Sequence, residues 1–180
     1  LRLFVAVDVP EHLKDAIEND VVGRLRGGVS GARWTRPEGR HLTLKFLGNV
    51  DESRVDSIAA VLSDVAVRHR GFDAAFDEIG AFPNLRRPRV LWVGLGRGNE
   101  ELARIASDLD EGFVRLGFEA EGRPFRGHLT LARFPKPAVA EVPSVEVPDE
   151  SFGVRELIIF ESKLHPRGAR YTAVERFALR

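Results

Sequence analysis

Apolar and polar positions follow two rhythms along this chain, and the order in which they appear repeats. "LRLFVAVDVP" opens as a short apolar strand ending at Pro10. From Glu11 onward Leu13, Ile17, Val21 and Leu25 recur every four residues with charges between them, which predicts an amphipathic helix ended by Gly27-Gly28. "RWTRPEGRHLTLKFLG" then reads as extended chain closed by Gly48. A second helix carries Val55, Ile58, Leu62 and Val65 on one face and stops at Gly71, and "FDAAFDEIGAF" alternates as a strand. The order then restarts. "RVLWVGL" predicts a buried strand, "NEELARIASDLDEGFVRLG" a helix with Leu102, Ile105, Leu109, Phe113 and Leu116 inward, and "FEAEGRPFRGHLTLARF" extended chain. The tail departs from the repeat. "PKPAVAEVP" predicts a short helix or a loop, and "FGVRELIIFESKL" and "YTAVERFAL" predict two strands joined by a turn at "HPRGAR".

Strand, helix and a strand bearing "HLTL" thus occur twice, at residues 41–44 and 128–131. From Pro10 to His41 is 31 positions, and from Asn99 to His128 is 29. Two units are too few to stack as a solenoid, so the repeat predicts one bilobal domain with halves of approximately 1–88 and 89–180. The expected class is α+β with mostly antiparallel sheets, ahead of a doubly wound parallel sheet.

Composition narrows the function classes. The 180 residues suffice for a real core, and no apolar run approaches the roughly 20 residues that span a bilayer. No signal-peptide pattern opens the sequence and there is no cysteine, so a cytoplasmic setting without disulfides or thiolate chemistry is expected. Twenty-seven basic residues balance 27 acidic ones, which argues against a general coat for long nucleic acid while leaving room for a local basic pocket. Nothing in the apolar pattern is left over for a partner, so a monomer is expected.

In a strand, side chains alternate between faces. His41 and Thr43 therefore share one face and Leu42 and Leu44 the other, and His128 and Thr130 stand likewise against Leu129 and Leu131. Each strand anchors itself by leucines and presents a His-x-Thr pair. Two imidazoles across a cleft suit phosphodiester cleavage, which needs a base on the attacking oxygen and an acid on the departing one. The threonine hydroxyls suit the non-bridging oxygens. Lys45, at offset four, belongs to the histidine face and would add positive charge. Phe46 and Arg133, at offset five, fall on the leucine face of a regular strand, unless a bulge or strand end turns them. An arginine there would clamp phosphate and a phenylalanine would stack on a base. Neither HLTL offers a second close ligand, so no metal and no cofactor is expected. His12, His69 and His165 have no repeat counterpart and read as structural or surface residues.

The segments "RLFVAVDVP", "RWTRPEGRHLTLKFLG", "GAFPNLRRPRVLWVGL", "HLTLARF" and "FESKLHPRGARYTAVERFAL" together resemble the 2H phosphoesterase superfamily, named for its two His-x-Thr motifs. Within it the resemblance is to the bacterial and archaeal RNA 2′,3′-cyclic phosphodiesterases, long labelled 2′-5′ RNA ligases. It implies two pseudo-symmetric lobes with mostly antiparallel sheets facing a central cleft, helices outside, and metal-independent chemistry. His41 and His128 would be the acid–base pair, acid and base respectively, with Thr43 and Thr130 holding phosphate. Arg133 would match the phosphate-side arginine and Phe46 the aromatic near the base. The implied reaction opens a terminal 2′,3′-cyclic phosphate, on RNA 3′ ends or small cyclic nucleotides, to a 2′-phosphomonoester. Weak reversible 2′-5′ ligation would accompany it. The alternatives are a non-catalytic binder of such ends and a phosphodiesterase for another small cyclic phosphate.

Overall fold

A row of apolar residues every four positions cannot stay on one face of an α-helix, because each step drifts by about 40°. The chain resolves this locally. A helix α1 (Glu11–Ala16) widens into a π-helical stretch (Ile17–Val22) and closes as α2 (Gly23–Leu25). The looser π turn takes up the drift, and Leu13, Ile17, Val21 and Leu25 are all buried. The computed structural model that reveals this describes residues 1–137 and 139–180.

The helices α3 (Val55–Arg68) and α4 (Asn99–Arg115) follow the expected periodicity, with Ile58, Leu62 and Val65 buried on one and Leu102, Ile105, Leu109 and Phe113 on the other. The strands are β1 (Arg2–Val7), β2 (Arg33–Trp34), β3 (Leu42–Asn49), β4 (Phe72–Ala74), β5 (Phe76–Phe82), β6 (Val90–Leu95), β7 (His128–Arg133), β8 (Phe152–Val154), β9 (Glu156–Lys163) and β10 (Arg170–Ala178). They form sheets of order β10-β9-β1-β3 and β2-β7-β6-β5, with β4 and β8 paired by themselves. All of these pairings are antiparallel. Apolar side chains of both large sheets and the helices merge into one core. A small satellite cluster, Phe4, Ala6, Ile158 and Phe160, sits on the opposite face of the first sheet. Among the described residues no helix is long and apolar enough to cross a membrane.

Three expectations are corrected. The single strand expected over 72–82 splits at Ala75, whose N–H and carbonyl bond to Arg97 and Gly96 instead of a sheet. The strand expected over 152–164 splits at Arg155, whose guanidinium reaches the Phe72 carbonyl at 2.7 Å. Residues 118–127 are irregular rather than extended, because α4 supplies their acceptors: Asp110 takes the Glu121 N–H, and Asn99 takes that of Gly127 at 2.7 Å. Over 135–143 the described positions are irregular chain, and residue 138 lies outside the described residues.

The sequence halves also do not coincide with the sheets. The last strand of the first half, β5, pairs with β6 of the second half, while β9 of the second half pairs with β1 of the first. Each half therefore completes the other's sheet.

Candidate active site

The two HLTL strands carry the same irregularity. In the β1–β3 ladder Ala6 faces Thr43 and Val5 faces Lys45, so Leu44 is the extra residue of a bulge. In the β6–β7 ladder Trp92 faces Thr130 and Leu91 faces Ala132, so Leu131 is the extra residue. A bulge adds one residue and inverts the alternation beyond it. Phe46 accordingly stands opposite Phe4, and Arg133 opposite Val90, both on the histidine face. The same inversion corrects the expectation for Lys45. It faces Val5 on the leucine side, is 5% exposed, and its ammonium donates to Asp110 at 2.7 Å and to the Glu119 carbonyl at 2.6 Å, with Glu121 at 3.2 Å. Burial alone would lower its pKa, but the hydrogen bonds and charges of Asp110 and Glu121 together outweigh it and hold the pKa raised, so this charge is already neutralised.

The bulge in β7 is clasped from outside. The Thr35 hydroxyl bridges to the carbonyls of Thr130 and Leu131 at 2.7 and 3.0 Å. Arg40, fully buried, donates to the Thr35 hydroxyl and carbonyl and to Glu18 at 2.6 Å. Glu18 lies in the π-helical stretch, so the first helix is tied to both motifs, Arg40 being the residue before His41.

His41, Thr43, Lys45, Phe46, His128, Thr130 and Arg133 line one cavity of about 720 Å³ between the sheets. Ala103, Ala106 and Asp110 of α4 also line it. Phe46 is 66% exposed, a large apolar face open to solvent. A second groove of about 530 Å³ between α3 and α4 contains neither motif.

Each imidazole rests on aromatic rings that the sequence pattern did not single out. Phe160, Tyr171 and Phe4 lie 4.3, 5.8 and 6.0 Å from the His41 ring, and Phe82 and Trp92 lie 5.1 and 6.0 Å from that of His128. Phe160 and Phe82 occupy matching places, next to Phe4 and Val90 on the flanking strands. Their signal was the aromatic ending of each strand pattern, legible only once strand order is known.

The Nδ1 of His128 meets the Arg126 carbonyl at 2.7 Å. A carbonyl only accepts, so Nδ1 carries the proton and Nε2 keeps its lone pair. Burial pushes the His128 pKa down; the Arg126 carbonyl pulls it up, and the Arg133 and Arg126 guanidinium groups push it down. His41 is pushed further, to about 4, by burial and then by the Lys14 ammonium, against the pull of Asp8. Its Nδ1 is buried without a hydrogen bond, and the Gly39 carbonyl contributes least. At neutral pH the protein alone thus holds both rings uncharged. Outside the cavity, His12 pairs with Glu150 at 3.1 Å and His69 with Asp108 at 2.6 Å. Among the described residues no three His, Asp or Glu side chains cluster to hold a metal ion.

Known proteins share this architecture. An RNA 2′,3′-cyclic phosphodiesterase of Archaeoglobus fulgidus is 37% identical over 98% of this chain and 99% of its own. A crystal structure from Thermus thermophilus superposes with a TM-score of 0.85 at 32% identity, covering 99% of this chain and 98% of that one. E. coli LigT complexed with 3′-AMP gives a TM-score of 0.80 at 27% identity over 99% and 97%. The family model for LigT-like phosphoesterases matches residues 7–92 and 94–171. Both HLTL strands fall inside those spans, and the chain belongs to the LigT-like phosphoesterase family.

Proposed function

We propose that this chain is an RNA 2′,3′-cyclic phosphodiesterase that opens a terminal cyclic phosphate to a 2′-phosphomonoester. The observation that carries the reading is the convergence of both His-x-Thr pairs, with Phe46 and Arg133, on one cavity. The name of the A. fulgidus relative supports the substrate class.

In this reading His128 takes a proton from water through Nε2, the water oxygen bonds to phosphorus, and the P–O3′ bond breaks. The departing O3′ takes a proton from His41. Thr43 and Thr130 donate to the non-bridging oxygens, where charge rises in the transition state, and Arg133 pairs with the same oxygens. Phe46 offers its exposed face to the terminal base. A bound phosphodiester anion raises the proton affinity of both rings, against the push of Arg133 at His128 and of Lys14 at His41. A 5′-hydroxyl in the place of water gives a 2′-5′ linkage by the same steps, which is the ligase activity.

The test is hydrolysis of a 2′,3′-cyclic nucleotide in EDTA, with the product mapped by phosphorus NMR. The expected product is the 2′-phosphate, and His41→Ala and His128→Ala should each lower kcat/KM by about 10²–10⁴. Binding without turnover, or activity that survives both substitutions, contradicts the reading.

A further inference from the structure

The two halves match position by position around their histidines, and at one place they differ in charge. In one ladder Trp92, Val93 and Gly94 face Thr130, Leu129 and His128. In the other Ala6 and Val7 face Thr43 and Leu42, so the next residue, Asp8, faces His41. Its Oδ1 lies 3.8 Å from His41 Nε2. Gly94 holds the corresponding place beside His128. A Cβ added there would come within 2.6 Å of the Trp92 ring and 2.7 Å of the Arg126 guanidinium. Both histidines feel a nearby cation, Lys14 for His41 and Arg126 for His128, but His41 has a carboxylate neighbour as well.

Asp8 does not stand alone. The same Oδ1 accepts the Val9 N–H at 2.9 Å and meets the Lys14 ammonium at 2.8 Å. The Lys14 side chain is only 3% exposed, with Glu11 at 3.8 Å as its second partner. Resting on the proposed function, we infer that Asp8 and Lys14 are positioning residues for His41, Asp8 being the counter-ion to the imidazolium that acts as general acid and Lys14 the opposing cation that keeps the ring neutral until the phosphate binds. The other elements packed on His41 bring Phe4, Phe160 and Tyr171, of which only the phenol titrates. Burial lowers its proton affinity most, the Lys14 ammonium adds to that push, and the Asp8 carboxylate pulls the other way less strongly. Among the described residues no carboxylate does this for His128, which suits a base.

The test combines two measurements on wild type, Asp8→Asn, Asp8→Glu and Lys14→Met. NMR titration of His41 should move down by about one pH unit in Asp8→Asn, move up in Lys14→Met, and stay near wild type in Asp8→Glu. With a 2′,3′-cyclic nucleotide, Asp8→Asn should lose about tenfold in kcat/KM. With a p-nitrophenyl phosphodiester, whose leaving group departs without a proton, that loss should vanish. Should Asp8→Asn fold poorly with Lys14 unpaired, Lys14→Met and the double variant carry the same titration test. Equal losses on both substrates, or a His41 titration unmoved in Lys14→Met, would overturn the inference. If wild type opens no cyclic phosphate yet His41 titrates as stated, the proposed function falls and the ion-pair assignment stands.

Discussion

His41 and His128 occupy equivalent strand positions, but burial and unlike neighbours give them a common depressed proton affinity in the protein alone. This has a consequence for stability. The ordinary histidine value is 6.5, and the folded chain holds His41 at about 4. Between those values the unfolded chain binds a proton that the folded one refuses. The contribution of neutral His41 is therefore complete above pH 6.5 and is lost as pH falls toward about 4, by at most roughly 3 kcal/mol. His128 acts in the same sense. Melting temperature should fall across that window in wild type and less steeply in His41→Gln; equal slopes would exclude His41 as the source. At this scale the sequence was informative about the four His and Thr residues, since strand alternation alone groups them. Asp8 and Lys14 escaped it because six positions separate them, and only the strand-to-helix corner brings their charges to 2.8 Å.

Elements decide which of the remaining residues face the cavity. Local propensity located β3 and β7, but not the bulges at Leu44 and Leu131, which exist only relative to β1 and β6. Strand alternation alone therefore leaves Phe46 and Arg133 between two faces and places Lys45 on the face opposite to the one it occupies. Its actual place makes it a clamp joining β3 to α4 and to the irregular segment 118–127. That segment supplies Arg123, Phe125 and Arg126 to the cavity wall. Asp110→Ala removes the main partner of a nearly buried ammonium and should cost roughly 3 kcal/mol. Hydrogen exchange should then quicken at Glu121, whose N–H bonds to Asp110. Unchanged exchange there would contradict the clamp. The breaks at Ala75 and Arg155 were illegible for a related reason. Strand-like sequence stands on both sides of each, and only the separate β4–β8 pairing shows the chain leaving one sheet for another.

For the whole molecule the exchange of β5 and β9 matters most. Residues 1–88 lack β9, which flanks β1 on the side away from β3, and residues 89–180 lack β5, which flanks β6 on the side away from β7. Expressed separately, neither piece should give a cooperative melt, whereas co-expression should restore one complex; an independently folded half would contradict the interlock. The α+β class and the antiparallel preference were legible from the order of rhythms, but the interlock was not, because periodicity says nothing about which strand a strand will choose. The interlock also bears on descent. A single ancestral half would close both sheets only as an intertwined homodimer, and its two histidines would then have identical neighbours. Gene duplication and fusion remove that constraint, allowing one copy to place an aspartate where the other keeps a glycine. The asymmetry between Asp8 and Gly94 is a difference that such a fused chain can evolve and a symmetric dimer cannot.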